Sequence, residues 1–134
     1  MVRELQITYN SKVMQYNKIV LGLIIFTVAQ TLSWYQSNGQ FMNTWVKENP
    51  FLIALVMGAP IGLGYIYGTT YLVEAFDGEL WPARLLGFAT GILSFSALTY
   101  LHMKEGINIK TAVILVLATI ILLLQVFWKI ETDE

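Results

Sequence analysis

Four polar side chains stand out in otherwise apolar stretches of the sequence, because each carries a group able to hold a small solute. Tyrosine rings beside glycine gaps form a pocket that stacks a flat or cationic ligand, and a glutamine amide both donates and accepts hydrogen bonds. The alternative is structural, since a tyrosine hydroxyl or a glutamine amide also joins a helix to its neighbour. From this pattern we predict that the substrate-binding residues are Tyr65, Tyr71, Gln30 and Ser94.

Catalytic and metal chemistry has little support in the composition. The chain has no cysteine and a single histidine, His102, which excludes thiolate ligands and a cluster of histidines. No nucleophile, base and oxyanion-stabilising group are spaced to act together. Eight Lys and Arg against nine Asp and Glu give a net charge of -1, so no basic excess exists to neutralise a nucleic-acid backbone. We therefore expect no enzyme activity, no cofactor or metal, and no nucleic-acid partner.

The elements that position the four polar side chains are predicted from hydropathy and charge. Apolar residues make up 56% of the chain and charged residues 13%, against about 25% charged in soluble domains. Four stretches contain no charge: 19–46, 49–73, 85–103 and 111–128. Each suits a helix that crosses a bilayer core of about 30 Å, which takes about 20 residues. The sequence thus predicts an all-α polytopic integral membrane protein, an antiparallel bundle of four transmembrane helices at about 18–35, 50–74, 83–102 and 110–128.

The segments outside the four spans are more polar. Residues 1–17 alternate apolar and polar side chains in places, which is typical of a short interfacial helix, but a partly ordered tail fits equally. Residues 130–134 form an acidic tail. Because Trp34, Tyr35 and Gln36 follow the first apolar stretch where a cleavage site needs small residues, we expect this stretch to remain in the mature protein as a membrane helix.

Aromatic and basic residues indicate how the chain sits in the bilayer. All four tryptophans fall at or near the ends of the predicted spans, as is typical of indole rings at the headgroup level: Trp34, Trp45, Trp81 and Trp128. Basic residues are more numerous on the side of both termini (Arg3, Lys12, Lys18, Arg84 and Lys129) than on the other side (Lys47, Lys104 and Lys110). This excess predicts cytoplasmic termini, and its small size leaves the opposite orientation open.

Glycines at helical spacing predict where the helices approach one another. Small residues four apart let two backbones come close in a membrane, where lipid offers no hydrophobic drive for association. On this basis the predicted helix-packing residues are Gly58, Gly62 and Gly68 in the second span and Gly87 and Gly91 in the third. Pro60, near the middle of the second span, is expected to kink that helix. The aliphatic stretch 112–124 of the fourth span is expected to face lipid or a partner subunit.

Several features of the second half of the chain resemble one transporter family. They are Tyr65, the short turn after Ala75, Gly91 on the third span, and the break at 103–109 that leads into the aliphatic fourth span. Together they resemble the small multidrug resistance type of the drug/metabolite transporter superfamily. The resemblance implies a small-solute carrier in which Tyr65 lines the pocket, the third helix bends between Gly87 and Gly91, and the fourth helix forms a homodimer.

Two other functions stay open beside the carrier. In the first, the chain is a noncatalytic structural or accessory subunit of a larger membrane complex, and the glycine faces are its contact surfaces. In the second, a fainter similarity of 87–91 and 94–96 to small four-helix fluoride channels implies an ion channel.

The charge pattern also bears on how a carrier would be driven. The resembled family carries a proton-coupling glutamate in its first helix, whereas no acid lies within 19–35 of this chain. A proton carrier needs a group inside the barrier that gains and loses charge. The acids nearest the hydrocarbon, Glu74 and Asp77, are expected at a membrane surface. We therefore expect uniport or solute exchange rather than proton coupling.

Overall fold

The computed structural model describes the backbone of residues 1–132 and the side chains of residues 1–128. Within this part of the chain there are five α-helices: α1 Val2–Asn38, α2 Thr44–Glu48, α3 Pro50–Ala75, α4 Leu80–Met103 and α5 Ile109–Thr132; a short 3-10 helix, Gly39–Phe41, follows α1. By length and composition, α1, α3, α4 and α5 are able to cross a membrane. The prediction of an all-α polytopic membrane protein is therefore confirmed.

The helix ends follow from local sequence. Pro50 occupies the first turn of α3, where its missing N–H is not needed. Asn43 caps α2, because its side chain accepts hydrogen bonds from the backbone N–H groups of Trp45 and Val46. The turn between α3 and α4 contains Asp77 at φ 52° and Gly78 at φ 89°, a conformation that glycine adopts without steric cost. These signals make successive membrane helices antiparallel neighbours.

Helix α1 differs from the predicted first span, because it begins at Val2 and continues unbroken to Asn38. The expected change of structure near residue 18 does not occur. With 37 residues, α1 is about 55 Å long. A bilayer core is about 30 Å thick, so the helix is much longer than a membrane span requires. Two contacts hold the N-terminal half of α1 against the end of α3. Lys18 Nζ lies 2.9 Å from Glu74 Oε2, and Gln15 Nε2 donates to the carbonyl of Ala75 at 2.7 Å. Residues 2–17 are thus a projection of the membrane helix.

Helix α1 lies centrally and packs most extensively against α3 and then against α4, while α5 packs mainly on α4. Helices α3 and α4 contact each other much less than either contacts α1. The buried core lies toward the end of the bundle where α3 stops and α4 starts, which we call the terminal side. Its members are Ile19, Phe26, Leu72, Ala75, Phe76, Ala83 and Leu86, with Leu122 and Val126 of α5 packed against them.

The opposite end of the bundle, which we call the loop side, is held by aromatic hydrogen bonds between α1 and α4. Trp34 Nε1 donates to Thr99 Oγ1 at 2.9 Å, and the Tyr35 hydroxyl lies 2.7 Å from His102 Nε2. Trp34 is only 3% exposed. Its indole N–H thus finds an acceptor inside the bundle. Trp45, Trp81 and Trp128 are exposed.

Three of the five predicted packing glycines lie where α1 approaches another helix. A Cβ built on Gly68 would meet the ring of Phe26, one on Gly87 would lie 3.2 Å from Phe26 Cε2, and one on Gly91 would lie 2.8 Å from Gln30 Nε2. The same ring of Phe26 thus fits against a glycine on α3 and a glycine on α4.

The other two predicted packing glycines make no close contact within the described chain. A Cβ on Gly62 would meet nothing within 4 Å, and one on Gly58 only Gln36 Nε2 at 4.0 Å. The close approach of α1 and α3 instead involves Gly22, Gly64 and Gly68. Of these three, Gly68 was among the predicted packing residues, whereas Gly22 and Gly64 were not. The reason is helix rotation: Gly64, Gly68 and Leu72 recur every four residues on the face toward α1, whereas Gly58 and Gly62 lie on a different face.

Candidate solute-binding cleft

A cleft of about 720 Å³ lies between α3 and α4 and has α1 as its floor. It exists because both helices pack on α1 but contact each other little, so the space between them stays unfilled. Pockets for small molecules have about 300–1,000 Å³ and mostly apolar walls. The lining residues are Phe26 and Gln30 of α1, Tyr65 and Thr69 of α3, and Leu80, Trp81, Ala83, Arg84, Gly87 and Phe88 of α4.

Two of the four predicted substrate-binding residues meet at the inner end of this cleft. Gln30 Nε2 donates to the carbonyl oxygen of Gly87 at 3.1 Å, which confirms the cross-helix hydrogen bond expected of an amide in apolar surroundings. The Tyr65 hydroxyl lies 3.2 Å from Ser33 Oγ, and its ring centroid lies 6.0 Å from that of Phe26. With its nitrogen engaged, the Gln30 amide keeps its oxygen as an acceptor for a ligand.

Tyr71 and Ser94, the other two predicted substrate-binding residues, do not line the cleft. Tyr71 follows Tyr65 by six residues, which places it on a different face of α3. Ser94 follows Gly87 by two turns on a similar face of α4, about 10 Å further toward the loop side. Both side chains are half-buried. The structure therefore brings Gln30 and Tyr65 together and leaves Tyr71 and Ser94 outside.

Four residues that line the cleft were not predicted as site residues from the sequence: Thr69, Trp81, Arg84 and Phe88. From the sequence, Arg84 was noted only as a basic residue on the side of the termini, and Trp81 only as a tryptophan near the end of a span. The available signal was spacing: Trp81, Arg84 and Phe88 recur every three or four residues, which puts them on one helix face. That face also contains Gly87, whose missing side chain keeps the cleft open beside Phe26.

Arg84 supplies the formal charge of the cleft. Its guanidinium carbon lies 4.8 Å from the centroid of the Phe88 ring, and the ion pair found among the described side chains joins Lys18 to Glu74 instead. Within the part of the chain whose side chains are described, no Asp or Glu lines the cleft. Glu74 and Asp77 border a smaller polar depression of about 350 Å³ near Lys12 and Lys18. The acidic residues at the end of α3 are thus separate from the cleft.

Metal ligands do not converge on the cleft or elsewhere in the part of the chain whose side chains are described: no three His, Asp or Glu side chains lie close enough together to hold an ion. The chemistry that the cleft offers is therefore recognition, through aromatic rings, a guanidinium group and the polar groups of Gln30, Tyr65 and Thr69.

No family model, no curated protein and no solved structure matches the chain. The function of this four-helix membrane protein is therefore inferred from its own cleft.

Proposed function

We propose that the chain is a small carrier, similar in kind to the drug/metabolite transporters, that binds one small solute between α3 and α4. The observation that supports this most directly is the cleft itself. It begins near Trp81 at the terminal side and reaches Gln30 and Tyr65, which lie well inside the membrane-crossing parts of α1 and α3. An apolar cavity with a few convergent polar groups is the usual form of a small-molecule site.

Movement of the solute requires the inner end of the cleft to open toward the loop side. In this proposal, two weak polar contacts close that end: the hydrogen bonds of Gln30 with Gly87 and of Tyr65 with Ser33. A solute that offers Gln30 and Tyr65 new partners would weaken both closures. Pro60, within α3, removes one backbone hydrogen bond and so lowers the cost of bending that helix above the cleft.

A second copy completes this carrier in our proposal, with α5 as the contact helix. Among the described helices, α5 packs mainly on α4, and most of its aliphatic side chains are exposed within the single chain. A homodimer through α5 would leave the cleft between α3 and α4 open to solute.

Filling the cleft is expected to stop transport. We expect Thr69→Phe to lower the rate of saturable solute counterflow about fivefold or more, because a phenyl ring overpacks the cleft at a cost of about 1–3 kcal/mol, which corresponds to at least that factor in binding. Thr70→Phe is the matched control, since Thr70 is exposed on α3 and does not line the cleft. The measurement is counterflow of labelled naphthalenesulfonate and of labelled naphthylmethyltrimethylammonium into proteoliposomes loaded with the same unlabelled compound.

Two results of the counterflow experiment contradict the proposal. Equal rates for Thr69→Phe and Thr70→Phe would place the transport path outside the cleft. An unaltered protein that gives no saturable counterflow of either ion would leave the accessory subunit as the better hypothesis.

The accessory-subunit hypothesis has an observation of its own. The projecting part of α1 carries exposed apolar side chains every three or four residues, at Val2, Leu5, Tyr9, Val13 and Tyr16. This spacing puts them on one side of the helix. Because α1 extends beyond a bilayer core, the outer members of this stripe lie in water unless another helix covers them.

The subunit hypothesis is tested by removing that stripe. If it holds, the double substitution of Leu5 and Tyr9 by glutamine will convert a complex larger than a homodimer into a smaller species on native gels of mildly solubilised membranes. Ile7→Gln is the control, because Ile7 is equally exposed but lies on the opposite side of α1. A complex whose size is unchanged by the double substitution would oppose a contact through this stripe.

A further inference from the structure

We infer that the solute of the cleft is an aromatic organic anion, with its carboxylate or sulfonate held by Arg84 and its ring packed between the aromatic side chains of the cleft. This inference rests on the proposed function in one respect, namely that the cleft is the solute site. It adds the sign of the charge and the shape of the solute, which neither the hydropathy pattern nor the fold supplies.

The sign of the charge follows from what lines the cleft. Among the side chains of residues 1–128, Arg84 is the charged one that lines the cleft, and none of the others in the lining is a carboxylate. Its guanidinium carbon lies 4.8 Å from the centroid of the Phe88 ring, and a guanidinium group beside a ring can form a forked hydrogen bond with a carboxylate or sulfonate. A cationic solute would be repelled by the charge of Arg84.

The shape of the solute follows from the walls. Four rings line the cleft: Phe26 and Tyr65 toward its inner end, and Trp81 and Phe88, which are 76% and 52% exposed, toward its mouth. Aromatic side chains favour a flat partner at ring-centroid distances of about 4.5–7 Å. The wall from Leu80 to Phe88 is about 12 Å long, which accommodates one or two fused rings behind an anionic group.

A phospholipid also has an anionic group, but the polar inner end of the cleft favours a free solute over a lipid. A lipid with its phosphate on Arg84 would direct its acyl chains against Gln30, Tyr65 and Thr69. Gln30 and Tyr65 already bond Gly87 and Ser33, but hydrocarbon offers no donor to the remaining amide oxygen of Gln30, and an unpaired polar group away from water is costly. An aromatic anion with a hydroxyl or amino group on its far edge satisfies the Gln30 amide oxygen instead.

The test compares three probes that share one ring system and differ in charge: naphthalenesulfonate, naphthylmethanol and naphthylmethyltrimethylammonium. Each is titrated against the full chain in nanodiscs of phosphatidylcholine, with a labelled probe and equilibrium dialysis. We expect the sulfonate to bind about tenfold or more tightly than the ammonium compound, because a hydrogen bond to a charged group contributes enough for such a ratio.

Substitutions of Arg84 test whether this side chain causes the preference for the sulfonate over the ammonium compound. We expect Arg84→Gln to weaken binding of the sulfonate about tenfold and to leave naphthylmethanol unchanged, and Arg84→Lys to retain part of the preference. The matched control is Lys47→Gln, since Lys47 is exposed in α2 on the loop side. Arg84 is exposed, and equal thermal unfolding of the variants and the unaltered chain checks that the fold is retained.

The inference is overturned if the sulfonate and the ammonium compound bind equally, or if Arg84→Gln leaves their ratio unchanged. It is also overturned if phosphatidylglycerol added to the nanodiscs displaces the sulfonate from the unaltered chain, because Arg84 would then hold a lipid headgroup.

Failure of this inference is distinguishable from failure of the carrier hypothesis. Arg84-dependent binding of the sulfonate without counterflow would retain the ligand class and reject the carrier. Counterflow that prefers the ammonium compound would retain the carrier and reject the anion.

Discussion

Replacing Gly22 with alanine is expected to lower the stability of the bundle by about 1–3 kcal/mol, the usual cost of overpacking. A Cβ at this position would lie 2.6 Å from Leu72 Cγ and 3.3 Å from the carbonyl oxygen of Gly68. Leu72 is fully buried and has no room to move aside, so α1 and α3 must separate. A membrane bundle relies on such close approach, because burial of apolar area alone does not hold helices together in lipid.

Gly62→Ala is the matched control for Gly22→Ala. It adds the same methyl group to another membrane helix, at a site where nothing described lies within 4 Å. We expect the midpoint of thermal unfolding in detergent to fall for Gly22→Ala and to stay close to that of the unaltered protein for Gly62→Ala. If the control falls as much, Gly62 contacts a second copy or another subunit, whereas an unchanged midpoint for Gly22→Ala would contradict the close contact of α1 with α3.

Truncation of Phe26 to alanine is the second substitution with a large expected effect. Phe26 is 3% exposed, and its ring fills the space left by Gly68 on α3 and Gly87 on α4. In soluble proteins Phe→Ala in a core costs about 3–5 kcal/mol, which includes transfer of the ring to water. In a membrane the released surface meets lipid, so we expect the lost packing alone to cost about 2 kcal/mol.

Phe95→Ala serves as the control for Phe26→Ala, because Phe95 is half exposed on α4. We expect a clear loss of thermal stability for Phe26→Ala and a small one for Phe95→Ala. Since Phe26 also forms part of the floor of the cleft, the same variant is expected to weaken binding of the aromatic probe. Equal stability of the two variants would show that the ring of Phe26 is not the contact between α3 and α4.

Both substitutions concern the same structural relation, namely how α3 and α4 are spaced on α1. Gly22 lets α3 come close to α1, and Phe26 sets how far apart α3 and α4 stand. The cleft is the space left by that spacing. Stability at these two positions and solute binding in the cleft are therefore expected to change together.

The sequence by itself determined the class of the protein, the four membrane helices and most of their ends. These features are local: a stretch free of charge and about 20 residues long crosses a bilayer, and Pro50 and Gly78 act on their own turns. Gln30 was also predictable as a cross-helix contact, since an amide surrounded by apolar side chains needs a partner.

The length of α1 was not determined by its residues taken alone. Residues 2–21 contain no proline or glycine to end a helix, yet their mixed polarity fits an interfacial helix or a tail as well. The contacts of Gln15 and Lys18 with the end of α3 tie this part of the chain to the membrane helix. Those contacts join residues that are far apart in the sequence and depend on how α1 and α3 are aligned.

Only the tertiary structure decided which side of each helix faces a neighbour, and with it the composition of the cleft. In a soluble helix the apolar face identifies the core, but a membrane helix is apolar all round, because lipid and core accept the same side chains. Hence the sequence did not distinguish Gly22, which packs closely against α3, from Gly62, which has no close contact. Nor did it distinguish buried Trp34 from exposed Trp81. Rotation of each helix about its axis is set by how side chains interlock, and that rotation brings Arg84, Gln30 and Tyr65 to one cavity.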